Sequence, residues 1–147
     1  LVSFREDLLT LTKIIIIMAS IFSKIIAGEI PSHKIAENEN FLAFLDVMPL
    51  VEGHVLVVPK KEVDYIFDMP PSEFRDLWAF AQSIAPAIEK AIPCKRIGIA
   101  VIGLEVPHAH IHLVPLNRVG DINFTQPKMT MSQEQLKATA EKIRAAL

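Results

Sequence analysis

Cysteine is nearly missing: Cys94 stands alone among 147 residues. One thiol can build neither an intrachain disulfide nor a cysteine-rich metal site, which excludes a secreted disulfide scaffold and fits a reducing, cytoplasmic setting. A block of basic charge is also lacking. Fifteen Lys+Arg stand against 17 Asp+Glu, a net charge of −2, and no cluster could release counterions from a nucleic-acid backbone, so polymeric nucleic acid is not an expected partner. There is no long hydrophobic run. The longest purely aliphatic stretch, Ile14-Ile15-Ile16-Ile17, falls far short of the ~20 residues of a membrane span, and no membrane association is expected. Internal repeats and low-complexity tracts are absent.

What is present is enough apolar residue to fold. Hydrophobic residues make up 51% and charged residues 22%, as in a single packed domain too short to carry separate cofactor and substrate domains. The first 17 residues differ in character from the rest, and the chain opens on Leu, so Met18 is the expected natural start, with 1–17 an upstream extension and 18–147 the folded domain.

Local patterns predict the elements. Ile25, Ile26 and Ile30 lie on helical spacing, broken near the end by Gly28 and stopped by Pro31. His33–Glu37 and Phe41–Asp46 flank the polar turn Asn38-Glu39-Asn40 and read as a hairpin. His54–Pro59 is apolar almost without interruption, the mark of a strand covered on both faces. Ser72 is a candidate N-cap for a helix whose apolar face runs Phe74, Leu77, Trp78, Ala81, Ile84, Ala85, Ile88, Ala91, with Pro86 expected to kink or split it. Ile97–Ile102 and His108–Leu116 read as strands. Ser132 with Gln135 forms a capping box for a terminal helix bearing Leu136, Ala140, Ile143 and Leu147. The order predicts an α+β fold, a mostly antiparallel sheet with the helices grouped together.

Three of the five histidines fall within five residues, His108-Ala109-His110-Ile111-His112. At a strand's period of two they share one face, with Ala109, Ile111 and Leu113 on the other. Such a row suits nucleophilic attack by a neutral imidazole whose neighbours fix its tautomer, or metal binding by three imidazoles. It could also be a merely solvated polar face.

Pro107–Leu116, PHAHIHLVPL, resembles the histidine triad motif that names the HIT family. Ile21–Ile35 and Phe41–Lys61 resemble Hint-like and bacterial members in the same order, so the likeness spans about residues 18–117. It implies a homodimer of α+β subunits, needing no cofactor, that cleaves nucleoside phosphoramidates or dinucleoside polyphosphates at the α-phosphate. By position, His110 would be the nucleophile that becomes nucleotidylated. His112 would help hold the phosphate and leaving group, His108 would orient His110 in part through its carbonyl, and His54 would join them. Asp46 would meet ribose hydroxyls, with Val47 and Phe22 around a purine base.

Departures from the pattern are specific. Leu104-Glu105 replaces a polar pair that contacts phosphate, which puts a carboxylate near an anion site. Ile97-Gly98-Ile99-Ala100 lacks a usual polar residue. Ser20 and Ser23 stand where some relatives carry a zinc-binding Cys-x-x-Cys pair, so no metal is expected. A low-turnover nucleotide-binding regulatory module and a His-ligated metal hydrolase are the competing functions. The second is disfavoured because the sequence offers the triad no nearby Cys and no matched Asp or Glu.

Overall fold

The computed structural model describes residues 20–147; the expectations about Met18 and residues 1–17 lie outside it. Helix α1 (Ile21–Ile26) opens on Ser20, whose Oγ accepts the Ser23 amide as an N-cap. Gly28 at φ +78° follows the helix in the left-handed region glycine adopts without penalty. Strands β1 (Lys34–Glu37), β2 (Phe41–Leu45) and β3 (Val55–Pro59) follow. After a 3₁₀ turn come α2 (Pro71–Ala91), β4 (Arg96–Ala100) and β5 (Ile111–Leu116); a second 3₁₀ turn and α3 (Gln133–Arg144) complete the described chain. The sheet order is β1-β2-β3-β5-β4 and every pairing is antiparallel.

Both faces of the sheet are covered, which is why β2 and β3 are apolar at every position. Ala43, Leu45, Val55, Val57, Ile111 and Leu113 point to the face carrying α2 and α3, where Leu77, Ile84, Ile88, Leu136 and Ile143 complete the main core. Each of these large aliphatic side chains contributes roughly 2 kcal/mol by leaving water. Leu42, Phe44, Leu56 and Val58 point the other way and pack on Phe22 of α1. The helices are therefore not all grouped together: α1 closes the opposite face, because the alternate residues of β2 and β3 are equally apolar and need their own cover.

Other local expectations shift in detail. The cap of α2 is Pro70, with Pro71 in its first turn, and not Ser72; Pro71 brings the fixed φ and absent N–H that a first helical turn accommodates. The helix runs unbroken through Pro86. That residue and Gln82, whose carbonyl loses its partner, are both exposed, so water can satisfy the group. Leu147 lies beyond α3 and is exposed, whereas Leu136, Ala140 and Ile143 are buried and the Ser132–Gln135 capping box is formed. Strand β4 ends at Ala100, short of Ile102.

Gly53 sits in the β2–β3 turn, one residue before His54, at φ +86°. A Cβ built there would lie 2.7 Å from Ile92 Cγ1 and 3.2 Å from Pro115 Cγ. Gly53→Ala combines left-handed strain with a steric clash and should cost about 2–4 kcal/mol. Thermal unfolding should show a drop of several degrees, and an unchanged midpoint would mean that the turn has room to relax.

Candidate active site

The site lies on the α1 face of the sheet. Strand β5 starts only at Ile111, so His108, Ala109 and His110 precede the regular ladder; the Ala109 amide donates instead to the Val63 carbonyl at 2.7 Å. The alternation nevertheless persists through the irregular stretch. Ala109, Ile111 and Leu113 enter the main core, while the imidazoles turn to the other side, where Phe22 meets the rings of His108 and His110 edge-on at 5.9 and 5.0 Å. The His110 and His112 rings are 4.7 Å apart, and β3–β5 pairing sets His112 opposite Leu56.

Backbone groups, whose donor and acceptor roles are unambiguous, fix where each ring carries its proton. The Leu50 amide donates to His54 Nδ1 at 3.1 Å. His54 therefore bears its hydrogen on Nε2 and donates it to His112 Nδ1 at 2.9 Å, which leaves the His112 hydrogen on Nε2. On the other side the Pro59 carbonyl accepts from His108 Nε2 at 2.8 Å, so His108 Nδ1 accepts from the Ser20 hydroxyl, also at 2.8 Å. The His108 carbonyl accepts from His110 Nδ1 at 2.7 Å. His110 Nε2 is thereby left with a lone pair.

These assignments require uncharged rings, and burial supplies them. His54 and His108 are 1% and 0% exposed, while His110 and His112 keep 6% and 7%, so the last two are the rings a ligand can reach. Desolvation first, then neighbouring positive charge, pushes His54 down to about 4 and His112 to about 3. Burial also lowers His108 and His110. All four are neutral at pH 7.

Asp46 begins the turn after β2. Its Oδ1 accepts the Met48 amide at 2.9 Å and its Oδ2 lies 3.9 Å from His54 Nδ1; burial raises its carboxyl above the usual range. The expectation that no Asp or Glu stands by the histidines to support a metal is corrected here, since the β2–β3 turn folds Asp46 back onto His54. Asp46, His54 and His112 bring ligand-type atoms within 4.8 Å of one another, but both His54 nitrogens are already engaged, one by an amide that cannot yield its hydrogen. The zinc reading fits no better at Ser20 and Ser23, whose neutral hydroxyls replace thiolates and lie 2.8 and 3.4 Å from His108 Nδ1.

Phe22 is buried beside the rings; Val47 is half exposed and stands outside this buried group. Glu105 is 84% exposed at its side chain and approaches Lys128 at 3.8 Å. Two residues went unread in the sequence. Phe124 packs its ring 4.7 Å from that of His112 and 6.3 Å from that of His54, and Lys128 is near enough for its charge to bear on Asp46, His54 and His112. The available signal was that Phe124 is the sole Phe, Tyr or Trp after Phe80.

The profile of the HIT domain matches residues 27–119. The chain belongs to the HIT family. Its HIT fold is shared with a Hit-like protein of Bartonella henselae involved in cell-cycle regulation, at a TM-score of 0.76 and 33% identity, covering 87% of this chain and 96% of that one. A zinc-bound histidine triad protein of Mycobacterium smegmatis matches at a TM-score of 0.74 and 30% identity, over 88% and 93% of the two chains. An adenosine 5′-monophosphoramidase of Schizosaccharomyces pombe is 32% identical over 129 residues, 86% of this HIT chain and 96% of its own. This membership supports a nucleotide hydrolase or transferase in general terms. Among the described residues no helix is long and apolar enough to cross a membrane.

Proposed function

We propose that the protein cleaves nucleotide conjugates at the α-phosphate through a nucleotidyl-His110 intermediate. The observation that carries this reading is the hydrogen bond from His110 Nδ1 to the His108 carbonyl, which leaves a neutral, buried imidazole with its Nε2 lone pair available for attack. In the first displacement that lone pair forms an N–P bond and the bond from phosphorus to the leaving nitrogen or oxygen breaks. His112 Nε2–H keeps its proton and hydrogen-bonds the phosphate or the departing atom, which takes a proton from solvent as it leaves. Water then attacks phosphorus, the N–P bond breaks, the nucleoside monophosphate leaves and the water's proton passes to solvent.

In this reading His54 holds the His112 tautomer and His108 orients His110. Asp46 meets the ribose hydroxyls, Phe22 and Val47 flank a purine base, and Glu105 stands at the phosphate side. The name of the Schizosaccharomyces pombe relative supports an adenosine phosphoramidate as first substrate. The test is incubation with adenosine 5′-phosphoramidate and with diadenosine polyphosphates, followed by acid-free mass spectrometry. AMP release with an adduct of one nucleotidyl group on His110 supports the reading, and turnover without any adduct counts against it. The 88% exposure of Leu104 and the 84% exposed side chain of Glu105 favour the regulatory alternative, since neither side chain offers a hydrogen-bond donor to a phosphate; its mark would be tight nucleotide binding with negligible turnover.

A homodimer belongs to the same proposal, and so does the cytoplasmic setting that a lone Cys94 fits. Among the described residues strand β4 pairs only with β5, which leaves its other backbone edge without a described neighbour, and Ile99 on it is half exposed. Beside it Phe74, Trp78, Ala85 and Ile99 line a cleft of about 530 Å³. Trp78 Nε1 is buried there with no acceptor among the described residues, a deficit of about 1–3 kcal/mol that a neighbouring chain could relieve. A second copy across β4 and α2 would cover this face. Light scattering at micromolar protein should give twice the chain mass, and a monomer mass would contradict it.

A further inference from the structure

The loop between β5 and α3 brings a lysine to the histidines that no part of the mechanism above uses. Its backbone is fastened there: the Met129 amide donates to the Pro49 carbonyl at 2.8 Å, one residue from the Leu50 amide that holds His54, and Phe124 of the same loop packs on His112. Lys128 is 31% exposed at its side chain, so part of its length is covered. Among the described residues the only carboxylate within 4.0 Å of it is Glu105, at 3.8 Å, beyond hydrogen-bonding distance; Asp46 lies farther off, near enough to feel its charge. Its charge bears on Asp46, His54 and His112.

We propose that Lys128 is a specificity-determining residue, whose ammonium exchanges Glu105 for an anionic group of the substrate beyond the phosphate that reacts. The proposal rests on the reading of this site as a nucleotide-conjugate site. Glu105 is a weak partner: it is largely solvated, its loop carries Leu104 88% exposed and Gly103 at φ +70°, and an exposed pair without direct hydrogen bonds contributes little. A phosphate oxygen could approach the ammonium closely and accept charge-assisted bonds, which are stronger. Glu105, released, has solvent to turn into. Its carboxylate, which the sequence alone marks as an obstacle to anions, then serves as a placeholder that keeps Lys128 from being a bare, half-buried charge in the free protein. Conjugates with a phosphate chain gain from the exchange; phosphoramidates with an uncharged leaving amine do not.

The test compares wild type, Lys128→Gln and Glu105→Gln on adenosine 5′-phosphoramidate and on a diadenosine polyphosphate, together with calorimetric binding of AMP and ADP. Lys128→Gln should lower kcat/KM about tenfold on the polyphosphate and change it less than about twofold on the phosphoramidate, and it should remove the preference for ADP over AMP. Glu105→Gln should raise ADP affinity severalfold. Equal losses on the two substrates, or an ADP/AMP ratio unchanged by Lys128→Gln, would overturn the proposal. If wild type binds both nucleotides but turns over neither substrate, nucleotidyl transfer fails while the ADP/AMP ratio still decides the role of Lys128. Failure to bind either nucleotide would overturn both.

Discussion

His110→Gly should reduce turnover of an adenosine phosphoramidate by roughly a thousandfold or more, because it removes the lone pair that forms the first bond and nothing else in the site is placed to replace it. His54 Nδ1 is taken by the Leu50 amide, His108 is wholly buried, and His112 exposes an N–H. Nucleotide affinity should survive, since His112, Asp46 and Phe22 remain. The fold should weaken modestly: the His108 carbonyl loses its partner and Phe22 loses a ring contact, together about 1–3 kcal/mol. Steady-state kinetics, adduct mapping and thermal unfolding separate these effects. A His110→Gly variant that still forms an adduct on another ring, or an equal loss from His108→Ala with the adduct mapped to a ring other than His110, would remove His110 from the role of nucleophile.

Acid should destabilise the protein well before the ordinary carboxylate range is reached. His54 at about 4 and His112 at about 3 lie below the roughly 6.5 of an unfolded histidine. As pH falls below that value the unfolded chain binds protons that the folded chain refuses, so stability drops by up to about 1.4 kcal/mol per pH unit for each ring. The loss from His54 levels off below about pH 4 and that from His112 below about pH 3. His108 and His110, also depressed, add in the same direction. Asp46 opposes them near the acid end, because its raised carboxyl takes a proton more readily when folded. Urea midpoints should therefore fall steadily from pH 7 to pH 4, and His54→Gln with His112→Gln should flatten the slope. A midpoint constant over that range in the unaltered protein would mean that the rings accept protons without unfolding.

The histidine row was legible because side-chain alternation is local: it held for His108, His110 and His112 even where the ladder had not yet begun. The continuous apolar segments Phe41–Leu45 and Val55–Pro59 were legible for a similar reason, since a strand apolar on both faces must be covered on both. Which helix covers which face was not, because α1 and α2 are both amphipathic and only three-dimensional packing assigns them. The same limit hid Lys128 and the approach of Asp46 to His54. Asp46 reads as a turn aspartate, and its Oδ1 does serve the turn through Met48, while its second oxygen faces His54 only because the turn doubles back. Lys128 and Phe124 lie in a loop without periodicity, and the Met129–Pro49 bond that brings them to the site joins residues about 80 apart in sequence. The cap of α2 was misplaced at Ser72 because Pro71 already starts the helix.

Three of the groups that decide the protonation pattern belong to the main chain: the Leu50 amide and the carbonyls of Pro59 and His108. Almost every amino acid carries the same amide and carbonyl, so exchanging the side chain of Leu50 or Pro59 leaves those instructions in place as long as the backbone path holds. The site's proton arrangement is thus insulated from mutational drift in its surroundings. A change of side chain at Glu105 or Lys128 would likewise leave the lone pair of His110 Nε2 where it is.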